Sequence, residues 1–267
     1  MSVDASSAPA IDRRAGIAFH TRGLRVEGSD GSAILRAVDL DVEPGEVVAL
    51  VGPSGAGKTT LLRLLGAALD PTAGEIAIDG APLPDEPEPR RRLRARLGFV
   101  HQDHALVPNV RVSTNVIAGA LGIRGRLAAL RSLLFPADAD LARAHAILES
   151  LGIGELLFRR SDALSGGEAQ RVAIARALFQ EPGALLADEP VASVDPTRSR
   201  DLLERVVALA RERGATLIAS MHDLELARAL FPRLVGLRDG RVVLDRATDA
   251  IDADELEALY RLEEPRG

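Results

Sequence analysis

The chain has 267 residues and no cysteine, which leaves room for one large α/β domain or a core with an inserted lobe, and excludes a disulfide framework or a thiolate metal site. A formal net charge of -6 argues against a nucleic-acid binder whose affinity rests on phosphate neutralisation. The apolar runs at 47–51 and 184–187 fall far short of the ~20 residues that span a bilayer, so any work at a membrane needs a partner that holds the chain there.

In chain order, residues 1–15 are rich in Ser and Ala, lack the basic start and apolar run of a signal peptide, and read as a disordered tail. Residues 33–48 alternate apolar and polar side chains around the turn Glu43-Pro44-Gly45-Glu46, and 47–51 reads as a fully buried strand. A helix is expected over 58–69, ended by Asp70-Pro71-Thr72-Ala73-Gly74, and 76–78 reads as a short strand entering the turn Asp79-Gly80. Residues 81–89 hold four prolines and read as a loop. A short helix follows over 90–96, leading to a strand over 97–100. Its arginines, Arg90, Arg91, Arg92, Arg94 and Arg96, read as a solvated charged segment because Asp85, Glu86 and Glu88 directly precede them.

From 113 to 157 the pattern is mainly helical, broken at Gly122, Gly125 and Pro136, with a last helix over 140–151; this block reads as a helical lobe inserted into an α/β core. A helix over 167–179, a strand over 184–187, a helix over 197–213, a strand over 216–220 and a helix over 224–231 then alternate as a parallel sheet requires.

Gly52-Pro53-Ser54-Gly55-Ala56-Gly57-Lys58-Thr59, with Thr60 next, matches the phosphate-binding pattern G-x-x-x-x-G-K-[ST] and lies between a buried strand and a helix, where the mechanism needs it. Glycines let backbone N–H groups converge on phosphate oxygens, the helix N-terminus adds its positive dipole end, Lys58 reaches the outer phosphates and the Thr59 hydroxyl can ligate Mg²⁺. Composition alone gives a lone lysine these flanks with a frequency of roughly 0.0006, so a chance glycine turn is a poor account. Moreover, every other one of the 33 Lys and Arg residues is Arg. The one compact ammonium stands where a wide planar fork would not serve.

Downstream motifs resemble those of ATP-binding-cassette proteins, and the likeness covers about 19–245. Leu164-Ser165-Gly166-Gly167-Glu168, continuing to Leu178, resembles the family's signature motif and helix. The resemblance implies that Ser165, Gly166, Gly167 and Glu168 complete the γ-phosphate site of an opposite subunit. Asp188-Glu189 at the end of an apolar run resembles the Walker B strand end, with Asp188 implied to hold Mg²⁺ and Glu189 to polarise the attacking water. Gln102 stands where the family has its Q-loop glutamine, a Mg²⁺ and water contact facing the membrane partner. Ser193-Val194-Asp195 matches the D-loop, which crosses the dimer interface, and His222 matches the switch histidine that contacts the γ-phosphate. The other four histidines read as ordinary surface or loop residues.

The implied fold is α/β: a P-loop NTPase core with a mainly parallel sheet, a small N-terminal antiparallel β subdomain and a helical subdomain inserted at about 106–165. A single ATPase domain is expected over 16–251, with a C-terminal helix and tail over 252–267. The implied ligands are ATP and Mg²⁺. The implied partners are a second copy in a head-to-tail dimer, transmembrane permease subunits and, indirectly, a substrate-binding protein, with no nucleic acid. The implied location is the cytoplasmic face of the cell membrane, held there by the permease.

Two features refine the resemblance. The family's adenine-stacking aromatic has no counterpart in Leu24-Arg25-Val26-Glu27-Gly28, so Val26 or a neighbouring aliphatic is expected to pack the base. Asp188-Glu189-Pro190-Val191-Ala192, the segment 115–122, Leu133-Leu134-Phe135-Pro136 and the ending 256–260 resemble phosphonate importers. Met221-His222-Asp223 and Glu168-Ala169 depart from that branch. Its rivals are importers of amino acids or metals, lipoprotein- or macrolide-type exporters, and non-transport ATPases of DNA repair or translation, which usually carry long coiled coils or paired cassettes. A catalytically inactive regulatory cassette is disfavoured by the presence of both Glu189 and His222.

Overall fold

The computed structural model describes residues 16–192 and 194–260; the expected tail at 1–15, the C-terminal tail at 261–267 and Ser193 of the D-loop lie outside the described residues. The chain opens with strands β1 (Phe19–Glu27), β2 (Ala33–Val42) and β3 (Val47–Val51), then helix α1 (Lys58–Leu65), strands β4 (Ala73–Ile78) and β5 (Ala81–Pro82), helix α2 (Pro87–Arg94) and strand β6 (Leu97–Val100). Helices α3 (Val112–Ile117), α4 (Arg126–Leu134) and α5 (Asp138–Ser150) come next, followed by α6 (Gly166–Phe179). The last part runs β7 (Ala184–Asp188), α7 (Pro196–Glu212), β8 (Thr216–Ser220), α8 (Leu224–Leu230), the hairpin β9 (Arg233–Arg238) and β10 (Arg241–Ala247), and helix α9 (Ala253–Tyr260).

Two sheets result. One is antiparallel with strand order β2-β1-β4-β5; the other has the order β10-β9-β3-β8-β7-β6, parallel except for β10 at its edge. The short apolar runs are explained by the larger sheet. In β3, Val47, Ala49 and Val51 enter one core while Val48 and Leu50 enter the other. Leu217 and Ala219 against Ile218 in β8, and Leu185 and Ala187 against Ala184 and Leu186 in β7, divide in the same way. A strand covered on both faces has no solvent-facing position, so its apolar run is continuous rather than alternating, and the polar residues of β7 and β8 stand at the strand ends.

One hydroxyl fastens the start of the described chain to this sheet. The fully buried Thr216 at the head of β8 donates to the Ile17 carbonyl (2.7 Å) and accepts from the N–H groups of Ile17 (3.1 Å) and Gly45 (2.9 Å). That uses its donor and both lone pairs.

Several boundaries differ from expectation for local reasons. The helix expected to reach 69 stops at Leu65, because Gly66 ends it and Ala67 turns left-handed at φ 55. The helix expected from 90 begins at Pro87, inside the presumed proline loop; in a first turn a missing N–H costs no helical bond. Nor are its arginines simply solvated. Arg90 pairs with Asp70, Arg94 donates to the Ala67 carbonyl (2.6 and 2.8 Å) and Arg96 pairs with Asp79 (2.6 Å), pinning α2 to its neighbours. The β9–β10 hairpin was not read from the sequence. Its signal is Asp239-Gly240, both left-handed (φ 48 and 74), the two-residue turn that suits a twisted hairpin.

Replacing Thr216 with Val keeps the shape but leaves the buried N–H of Ile17 and the half-buried N–H of Gly45 without this acceptor. Urea unfolding of Thr216→Val is expected to give a stability lower by about 2–4 kcal/mol at an unchanged m-value.

Candidate functional site

Strands β3, β8 and β7 are neighbours in the sheet, and their C-terminal ends deliver the candidate residues to one place. Beyond β3 the backbone turns through three glycines in left-handed conformations, Gly52 (φ 144), Gly55 (φ 81) and Gly57 (φ 102), before α1 begins at Lys58. A side chain on Gly52 would meet the Leu237 carbonyl oxygen at 2.0 Å, and one on Gly57 would meet Leu35 at 2.6 Å. Both positions therefore require glycine for space as well as for φ. Pro53, Ser54, Gly55 and Ala56 form the crest of the loop, with Ser54 and Gly55 exposed; Thr59 and Thr60 occupy the first turn of α1.

The Lys58 ammonium is buried under this loop and donates to the carbonyls of Gly52 (2.6 Å) and Pro53 (3.0 Å). Burial pushes its pKa down, and the nearby carboxylates Glu189 and Asp188 push it back up. The loop is thus a concave backbone surface with a cation beneath it, a combination suited to a polyanion.

Asp188 ends β7, directly beside Ser220 at the end of β8. Its Oδ1 accepts from the Thr59 hydroxyl (3.1 Å) and the Ser220 hydroxyl (2.8 Å), so one buried carboxylate joins the P-loop to two strands. The Ser220 oxygen also accepts the Glu189 N–H (2.9 Å), which supports Glu189 in a left-handed backbone (φ 50). That conformation is uncommon for a residue with a Cβ and recurs at functional sites. The Glu189 carboxylate lies 2.5 Å from His222 Nε2, and the histidine, at the turn after β8, is the more exposed of the two.

Gln102 lies beyond β6 and lines a 420 Å³ open cavity together with Thr59, Arg63, His101, Asp103 and Asp188. Thr59, Asp188 and Gln102 thereby offer a hydroxyl, a carboxylate and an amide to one space. These are the hard oxygen donors that suit Mg²⁺, which takes few protein ligands and completes its shell with phosphate and water. No group of three or more His, Cys, Asp or Glu side chains able to hold a metal occurs among the described residues. The segment after Gln102 is anchored by α6, where Arg176 donates to the carbonyls of His104 (2.8 Å) and Ala105 (2.5 Å), both left-handed.

The signature residues lie elsewhere. Ser165 caps α6 through a capping box, its oxygen accepting the Glu168 N–H (3.4 Å) while its own N–H and hydroxyl donate to Glu168 Oε2 (2.7 and 2.8 Å). The Ser165 N–H bond is the main cause of a lowered Glu168 pKa. Ser165 and Gly166 are exposed, and among the described residues no hydrogen bond links Ser165, Gly166, Gly167 or Glu168 to the P-loop.

Some residues escaped the sequence reading. Ser220 has no motif; only its register opposite Asp188 marks it. His101, taken as an ordinary loop residue, lies on the cavity wall with its ring centroid 4.5 Å from that of Phe99, its pKa lowered by burial and by Arg176. Val26 is only 4% exposed, between strands, and cannot serve as a platform for a base. Of its aliphatic neighbours, the half-buried Ile34 stands beside Gly28 and Gly57.

Comparison with known proteins places this geometry in context. The family model described as "ABC transporter" matches residues 35–192. The chain is 46% identical over 243 residues to the phosphonates import ATP-binding protein PhnC 1 of Pseudomonas savastanoi pv. phaseolicola, covering 91% of each chain. Among solved structures it resembles cbiO1 from Clostridium perfringens, part of the ABC transporter complex cbiONQ, with a TM-score of 0.76, 28% identity and coverage of 89% of this chain and 92% of that one. The dimeric bacterial ABC transporter cassette MJ0796 gives a TM-score of 0.76 at 29% identity, covering 86% and 98%.

The two carbonyls that hold Lys58 accept one compact ammonium, whereas a guanidinium would carry its charge on a longer, planar fork. Titration with a fluorescent ATP analogue is therefore expected to show Lys58→Arg binding at least ~10-fold more weakly than the parent, about 1.4 kcal/mol. Equal affinity would contradict this fit.

Proposed function

This chain belongs to the ABC transporter family, and on that premise we propose that it is the ATP-binding and ATP-hydrolysing subunit of a phosphonate importer. The observation that carries the ATPase reading is the convergence at three adjacent strand ends of a buried ammonium, a hydroxyl-held carboxylate and a carboxylate–histidine pair. The phosphonate assignment rests on the 46% identity to an import protein over nine-tenths of both chains.

In this reading the loop from Gly52 to Thr60 wraps the phosphates of ATP, and Lys58 turns its ammonium to the outer ones. Mg²⁺, held by Thr59 and Asp188 with Gln102 at the edge, would supply positive charge to the phosphate oxygens as the bond to the leaving group stretches. Glu189 accepts a proton from the attacking water, and His222, already within hydrogen-bond reach of that carboxylate, orients it and faces the γ-phosphate. Thr59 and Ser220 keep Asp188 in place throughout, so that the charged groups need not reorganise during the reaction.

The exposed N-terminus of α6 is the complement of this half-site. Ser165, Gly166, Gly167 and Glu168 would cover the γ-phosphate bound by a second copy, and the second copy would return the contact, making ATP the link between two head-to-tail cassettes. The segment after Gln102, gripped by Arg176, would meet a cytoplasmic helix of the permease and pass the opening and closing of the dimer to it. No helix among the described residues is long and apolar enough to cross a membrane, so attachment to the cytoplasmic face of the cell membrane would come through that permease, with a substrate-binding protein on its far side. Choice of cargo would lie with those partners.

Glu189→Gln keeps size and hydrogen bonding but removes the base. Its steady-state ATPase rate is expected to fall at least ~100-fold with ATP binding retained. Near-normal turnover would remove Glu189 from the role and with it the proposed mechanism.

A further inference from the structure

The chain has one tyrosine, Tyr260, the last described residue of α9, and its hydroxyl oxygen accepts the N–H of Gly52 at 2.8 Å across 208 positions of sequence. Gly52 is the first residue of the phosphate loop, so a helix at the far end of the chain touches the site at its root. The contact is built from several sides. Leu256 and Leu259 are buried, and Gly236 of β9, opposite Val51 in register, lacks a Cβ that would stand 3.1 Å from Leu259; the missing side chain lets α9 settle against the sheet beside the loop. Arg238 donates to the Ala258 carbonyl (3.0 Å), and Arg246 pairs with Glu255 (3.0 Å).

Gly52 is held on every polar edge. Tyr260 takes its N–H, Lys58 donates to its carbonyl (2.6 Å), and the Leu237 carbonyl oxygen closes the side where a Cβ would be. The two peptide units that meet at Gly52, where φ is 144°, are therefore held separately, the first through its N–H by the tyrosine oxygen and the second through its carbonyl by the ammonium. A nucleotide draws on Lys58, and once the ammonium turns toward phosphate, the phenol remains to fix the root of the loop.

We propose that Tyr260 is a positioning residue of the nucleotide site: its hydroxyl fixes the N–H of Gly52, and through it the root of the loop and the set of the loop N–H groups, for phosphate binding. This rests on the ATPase reading for its ligand but not for its geometry. The role is one of binding rather than of chemistry, since Tyr260 touches no reacting atom and lies apart from the Glu189–His222 pair.

Tyr260→Phe, made in the full chain, removes a single oxygen and keeps the ring that packs on the core. Two measurements are made on the parent and the variant. In steady-state ATPase assays the variant is expected to show a KM for ATP raised roughly 5-fold, with kcat unchanged within about two-fold, the scale of one unpaired buried N–H. In nucleotide-free hydrogen exchange, the Gly52 amide, read from peptides spanning 50–58, is expected to lose protection. A KM equal to the parent's overturns the proposal, whether or not the melting temperature falls, because a purely structural tie lowers stability without shifting KM against kcat. If the parent itself neither binds nor hydrolyses ATP, the ATPase reading fails separately; the proposal is then judged by exchange alone, and unchanged protection at Gly52 overturns it.

Discussion

A single ammonium buried beneath a backbone loop sets the terms for the rest of this structure. Lys58 has two neutral carbonyls for hydrogen-bond partners, and burial works against its charge. Two nearby carboxylates, Asp188 and Glu189, offset that cost without neutralising it by direct contact. The loop can reach around the ammonium only because Gly52, Gly55 and Gly57 accept φ values closed to other residues. The carboxylates reach it only because β3, β8 and β7 are adjacent and end at the same level. An anion with several oxygens suits such an arrangement, and crevices at the carboxyl ends of parallel strands are where α/β sheets bind ligands.

The proposed reading gives the chain only half of a site. Phosphate-facing donors, the hydroxyl-held carboxylate and the Glu189–His222 pair lie together, whereas the signature turn at the head of α6 is exposed and bonded only locally. Its capping box occupies the Ser165 hydroxyl with Glu168, which holds the turn in shape. Arg176, ten residues further along α6, grips the segment after Gln102. The turn at Ser165 and the segment after Gln102 are thus tied to the same helix, which is the connection the proposed coupling between them would use.

Much of this was legible in the sequence, and the physical reason is local. The phosphate loop, the Asp188-Glu189 pair and His222 are marked by residue type at fixed distances from strand ends, and the continuous apolar runs of β3, β7 and β8 reveal strands covered on both faces. What was not legible depends on register or on distant packing. Ser220 matters because it lies opposite Asp188, Val26 is unavailable because it faces into the core, and Tyr260 reaches Gly52 because Gly236 leaves room for Leu259. The extent of α2 was misjudged because prolines break a helix interior yet suit its first turn, a distinction that composition alone does not make. Its arginines were misjudged for a similar reason: acceptors such as Asp70 and the Ala67 carbonyl approach only after folding.

The central claim is that each cassette holds half of a nucleotide site and that ATP joins two halves. Sedimentation velocity of the Glu189→Gln variant, with and without ATP and Mg²⁺, tests it most directly. The account requires a monomer of 28.3 kDa without nucleotide, twice that mass with ATP, and no doubling when Ser165→Arg is added to block the signature turn. A particle that stays monomeric with ATP bound, or that doubles regardless of Ser165→Arg, would contradict it.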